Sequence, residues 1–74
     1  MDKILSTEET IQLAEKVRIE LFMKNIKQTD LIRMLAERGI KASAPNVSMA
    51  INGKGFQPGF KKLLIAIDEI LKEV

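Results

Sequence analysis

The amino-acid sequence predicts an all-α fold in one domain spanning residues 1–74. Three observations carry that prediction. Apolar residues recur at the spacing of one helix face in four successive segments. Each segment is bracketed by residues that start or stop helices. Nowhere do apolar and polar residues alternate as a half-buried strand requires, and no internal repeat or low-complexity tract interrupts the pattern.

The first helix is expected over about residues 7–24. Ser6 can accept from a free backbone N–H, and Glu9 stands at the capping-box spacing. Glu8 and Glu9 lie where the helix dipole favours negative charge. Ile11, Ala14, Val17, Arg18 and Leu21 follow helical spacing, with Phe22 beside them. Asn25 suits a left-handed C-terminal position, and Ile26 can fold back onto the last turn. The second helix runs from Gln28 to Arg38, with Leu31, Ile32, Leu35 and Ala36 as its apolar stripe, Met34 at the margin and Gly39 as its stop. Ile40-Lys41-Ala42 is a connector. Ser43 caps a short third helix, about Ser43 to Asn52, with Pro45 in the first turn, where its missing N–H costs nothing. Asn52-Gly53-Lys54-Gly55 ends it. Pro58 opens the last helix, whose face is Phe60, Leu63, Leu64, Ile67, Leu71 and Val74; Ile65 and Ile70 fall off that stripe.

Composition excludes several classes. The chain has no Cys and no His, and no Trp or Tyr. Disulfides, thiolate metal sites, the commonest general base and most base-stacking aromatics are therefore missing. Catalysis would rest on Asp, Glu or Lys alone, no carboxylate pair stands apart from the helix faces, and there is no glycine-rich phosphate loop. No catalytic residues, cofactor or metal are expected. No apolar run reaches the roughly 20 residues that span a bilayer, and Met1-Asp2-Lys3-Ile4-Leu5-Ser6 does not read as a secretory signal. A cytoplasmic location, without membrane contact, follows as the default.

Charge is unevenly distributed. Residues 1–23 carry three cationic and five anionic side chains, residues 24–62 eight and two, and residues 63–74 one and three, giving net charges of −2, +6 and −2. A basic middle between acidic ends is the footprint of a polyanion partner or of a solvated charged face. Lys24, Lys27, Lys41, Lys54, Lys61 and Lys62 fall near element ends that flank the third helix. Six phosphate neutralisations imply a log–log salt slope on the order of −5. The start of the third helix would turn free N–H groups and the positive dipole end outward. With Val47 turned inward, Ala44, Pro45, Ser48 and Met49 face outward, with Asn46 and Asn52 at the flanks. Among them Asn46 offers an amide with both donor and acceptor, and Ala44 and Met49 are apolar.

Two short helices joined by a tight connector, the second capped by Ser43 and closed by Asn52-Gly53, resemble the helix-turn-helix of the lambda-repressor-like family. The resemblance covers nearly the whole chain. Gln28 stands at the family's glutamine at the start of helix 2, Leu31 at the core position after it, Ser43 at the cap of the recognition helix, Val47 at its inward residue, and Asn52-Gly53 at its end. The resemblance implies a compact bundle of four to five helices that binds operator DNA, usually as a dimer. It places Gln28 and the backbone at Asn52 and Gly53 on phosphates. Lys27, Thr29, Lys41, Ser43 and Lys54 complete the expected phosphate set. Ala44, Pro45, Asn46, Ser48 and Met49 form the expected base-reading set. The turn departs from the family: Gln28 to Val47 spans 19 residues, five more than usual. Ile32 occupies a position where the family prefers a small residue, and Ala36 one turn later is the expected point of close approach between helices 2 and 3.

The function expected is a sequence-specific transcription regulator, a repressor of phage or mobile-element type, acting on double-stranded DNA as a homodimer. Ile65, Ile70 or the tail Ile4-Leu5 are the expected dimer contacts. The alternative is an adaptor or antirepressor that keeps the fold without binding DNA, with a regulatory protein as partner.

Overall fold

The computed structural model describes residues 6–54 and 58–74. They form four helices, α1 (Thr7–Met23), α2 (Gln28–Glu37), α3 (Ala44–Ile51) and α4 (Pro58–Glu73), and no strand occurs among them. Ile4, Leu5 and Gly55 lie outside the described residues, so the expected tail contact does too.

Local chemistry sets the boundaries. Ser6 Oγ accepts from the Glu9 N–H at 3.1 Å while the Glu9 carboxylate accepts from the Ser6 N–H at 3.1 Å, a complete capping box. At α2 only half of that exchange exists. The Asp30 carboxylate accepts from the Lys27 N–H at 3.1 Å, and the lysine side chain has no oxygen to return the bond. Ser43 Oγ accepts from the Asn46 N–H at 3.4 Å at the start of α3, with Pro45 in the first turn. The C-termini of α1, α2 and α3 all close the same way. Asn25 (φ 55°), Gly39 (φ 79°) and Gly53 (φ 68°) take the left-handed conformation. The next residue then donates five positions back: Ile26 to Leu21 O at 2.9 Å, Ile40 to Leu35 O at 2.9 Å and Lys54 to Met49 O at 3.1 Å. These are three Schellman closures.

Helix α4 packs against each of the other three, α3 also meets α1 and α2, and α1 and α2 do not pack directly on one another. The core is Ala14, Val17 and Leu21 of α1, Leu31 and Leu35 of α2, Val47, Ala50 and Ile51 of α3, and Leu64, Ile67, Ile70 and Leu71 of α4. The radius of gyration, 11.2 Å, matches the roughly 11 Å of a close-packed domain this long.

Packing corrects several expectations. Ile70 is 1% exposed and belongs to the core, because α4 is enclosed on three sides and buries a wider arc than one stripe; it cannot serve as a dimer contact. Ile65 is half-buried and Val74 is exposed. On α1 the inward side is Thr10, Ala14, Val17 and Leu21, not the side of Ile11 and Phe22, which are 48% and 88% exposed. Thr10 tolerates burial because its hydroxyl donates to Ser6 O at 2.8 Å. Ala36 is exposed, so the close approach of α2 to its neighbours is not made there; Leu31 and Leu35 form its inward side.

Candidate nucleic-acid interface

Helix α3 is eight residues long and amphipathic: Val47, Ala50 and Ile51 are buried, while Ala44, Pro45, Asn46 and Met49 are exposed and Ser48 is half-buried. The base-reading residues expected from sequence thus share the outward side of one short rod. Its last turn is fastened from outside. Arg18 of α1 donates from Nη1 to the Ile51 carbonyl at 2.6 Å, which satisfies a helix-end acceptor with a cation.

Polar capacity on this face is unequal. Asn52 Nδ2 donates to Ser48 O at 2.7 Å and lies 3.3 Å from Ser48 Oγ, so these two side chains are occupied with each other. The Asn46 side chain makes no hydrogen bond among the described residues, and it is exposed. Asn46 is therefore the one amide on α3 with both donor and acceptor available.

The start of α3 is less open to anions than its position in sequence implies. The Asn46 N–H is taken by Ser43 Oγ, the Val47 N–H donates to Ser43 O at 3.0 Å, and Pro45 has none; only the Ala44 N–H remains. Asn52 and Gly53 also spend their N–H groups internally, on Ser48 O at 3.1 Å and Ala50 O at 3.3 Å, and Gly53 is buried against α1. These N–H groups are thus engaged within the chain, that of Asn52 in the helical ladder and that of Gly53 in the Schellman closure.

Side-chain charge does more. From residue 38 to residue 67 the sequence contains no Asp or Glu, but it does contain Arg38, Lys41, Lys54, Lys61 and Lys62. Lys41 and Lys62 line one depression together with Asn46, over a floor of Ile40, Ala42, Phe60, Leu63 and Ala66. Lys41, Lys62 and Lys54, which follows α3, are exposed and have no ion pair among the described residues. Other cations of the basic middle are committed elsewhere. Arg38 pairs with Glu73. Lys24 donates to Leu71 O at 2.5 Å and Val74 O at 2.9 Å, capping the far end of α4.

The lysines expected to flank α3 do not all gather there. Lys41 and Lys62 gather beside Asn46 near the first turn of α4, whereas Lys24, Asp30 and Arg33 surround a hollow beside Val74, at the other end of that helix. Lys27, Gln28 and Thr29 open α2 next to this second group; Lys27 and Thr29 are exposed and Gln28 is half-buried. Sequence reasoning misplaced Arg18 on the apolar face. A cation at helical spacing among buried positions was the available signal that it serves a neighbouring helix end.

No cluster of potential metal ligands occurs among the described residues, and none of their helices is long and apolar enough to cross a membrane. Comparison with family models, with curated proteins and with solved structures finds no match to this chain.

Proposed function

We propose that this chain is a DNA-binding transcription regulator that sets the outward face of α3 into a major groove. One observation carries the reading: an exposed, polar-tipped helix with an unengaged Asn46 sits between exposed lysines in a 30-residue stretch free of carboxylates. In this reading Asn46 reads adenine, Ala44 and Met49 pack on thymine methyls, and Pro45 and Ser48 contribute shape. Lys41, Lys54 and Lys62 neutralise phosphates around α3, with Ser43 near them. Lys27, Gln28 and Thr29 supply a second set of phosphate contacts from the start of α2. The resemblance to the lambda-repressor-like family supports a helix-turn-helix made of α2 and α3 and a repressor's role of phage or mobile-element type.

Selection from a random duplex library tests this. An enriched motif is expected, with a log–log salt slope of about −4 per chain from four lysines (Lys27, Lys41, Lys54 and Lys62) at roughly −0.9 each. Substituting Asn46→Ala should relax preference at one position at a cost of about 1–3 kcal/mol. Recovery of no motif, with no binding even at about 50 mM salt, removes the proposal.

A protein-interaction adaptor or antirepressor is the second reading, favoured by the exposure of Ile19 (52%), Phe22 (88%) and Met23 (77%) on α1. Replacing Lys41, Lys54 and Lys62 together by Glu separates the two. A regulator loses DNA of every sequence; an adaptor that binds through α1 keeps its partner.

A further inference from the structure

Helix α1 carries two seams with the same spacing, one residue apart in register. Thr10, Ala14, Val17 and Leu21 face the core. Ile11, Glu15, Arg18 and Phe22, each one position later, are all exposed, and Ile19 lies beside them. Steps of four, three and four residues place side chains along the line on which one helix packs another. A single-residue offset turns the second seam by about 100° from the first, out of the chain's own core.

We propose that this outer seam is the contact with a second copy of the chain, formed by two α1 helices packed antiparallel about a two-fold axis. The seam is complementary to itself in that arrangement. With the axis at the level of residues 16 and 17, Ile11 faces the partner's Phe22 and Glu15 faces the partner's Arg18. Two-fold symmetry repeats each pair, as an isologous interface requires. The charges therefore match as well as the apolar side chains. Arg18 is already steadied by its bond to the Ile51 carbonyl, so part of the ordering cost of the ion pair is met before association.

Area agrees with a pair. Ile11, Ile19 and Phe22 together expose surface on the order of 400 Å², within the range of a monomer's largest patch. Two copies would withdraw about 800 Å² from these side chains, and Glu15 and Arg18 with the rim around them bring the pair to the roughly 1,000 Å² of a small specific interface. Nucleic acid is a poor occupant, because Glu8 and Glu15 are exposed on this side.

The test is sedimentation of the whole chain without DNA, from about 5 µM to about 500 µM, so that it does not depend on the regulator reading. A concentration-dependent dimer is expected. Phe22→Glu should raise its dissociation constant about thirtyfold or more while leaving the helical circular-dichroism spectrum unchanged, since Phe22 takes no part in the core. Glu15→Arg should weaken the dimer about fivefold to tenfold, and adding Arg18→Glu should restore most of that loss. A chain that stays monomeric throughout, a dimer indifferent to Phe22→Glu, or a charge reversal that rescues nothing each overturns the proposal.

Discussion

Three residues with positive φ, Asn25, Gly39 and Gly53, let this chain reverse direction after each of its first three helices. Glycine reaches that conformation without a Cβ clash, and other L-residues lose about 1–2 kcal/mol there. At Gly39 an added Cβ meets nothing within 4 Å; at Gly53 it would lie 3.4 Å from Ala14 Cβ and 3.6 Å from Ile11 Cα, ordinary contact distances. Space is thus not the constraint at either site, and the backbone conformation is. Gly39→Ala and Gly53→Ala should each destabilise by about 1–2 kcal/mol, and by similar amounts, in urea unfolding. A much larger loss at Gly53 would mean that the approach to α1 is tighter than these distances. Ser43 acts at the same scale: Ser43→Ala releases the Asn46 N–H and should cost about 1 kcal/mol.

At the scale of the element, α3 is the least self-sufficient helix. Eight residues are too few to hold together in water without packing and caps. Ser43 fastens its start, and Arg18 holds the Ile51 carbonyl near its end. Arg18→Met keeps most of the aliphatic stem and removes the cation. The expected result is faster amide exchange in the last turn of α3 and a stability loss of about 1 kcal/mol, reduced by the exposure of Arg18 to solvent. Protection unchanged along α3 would show that the bond contributes nothing. Helix α1 explains why the sequence was harder to read at this level. Its two equivalent seams, those of Thr10 and Ile11, alternate so closely that Ile11, Ala14, Val17, Arg18 and Leu21 looked like a single face. A threonine that satisfies its own hydroxyl was buried in preference to the isoleucine beside it. Helix boundaries, by contrast, were legible to within one residue, because Ser6, Asn25, Gly39, Ser43 and Gly53 act on the backbone next to them.

The whole molecule depends on α4, the helix that touches all the others. Leu64 is fully buried there. Leu64→Ala should cost about 2–5 kcal/mol. Domains of this length have only about 4–11 kcal/mol in total, so the variant should melt far below the parent chain in a thermal scan. Function at this scale is a matter of polarity. The stretch from residue 38 to residue 67 carries cations without carboxylates, and α1 exposes Glu8 and Glu15 together with its apolar seam. In the proposed assembly the first surface meets DNA and the second meets another copy. The triple change of Lys41, Lys54 and Lys62 to Glu should abolish DNA binding and leave dimerisation by sedimentation intact. A variant that loses both would show that the two surfaces are not separate.

Four helices, the caps of α1 and α3 and the stops of α1, α2 and α3 followed from the chain alone, since each depends on residues within about two turns of each other: a hydroxyl and an N–H, or the residue after a left-handed position and the carbonyl five places back. The partition of side chains between core, surface and helix-end duty was settled only by tertiary packing. Ile70 went inward because α4 is covered on three sides; Lys24 and Arg18 went to carbonyls of helices distant in sequence; Lys62 joined Lys41 and Asn46 across a connection that no local rule foresees. Capping is a short-range interaction, whereas burial and charge pairing depend on which elements become neighbours, and that is decided by the joint packing of all four.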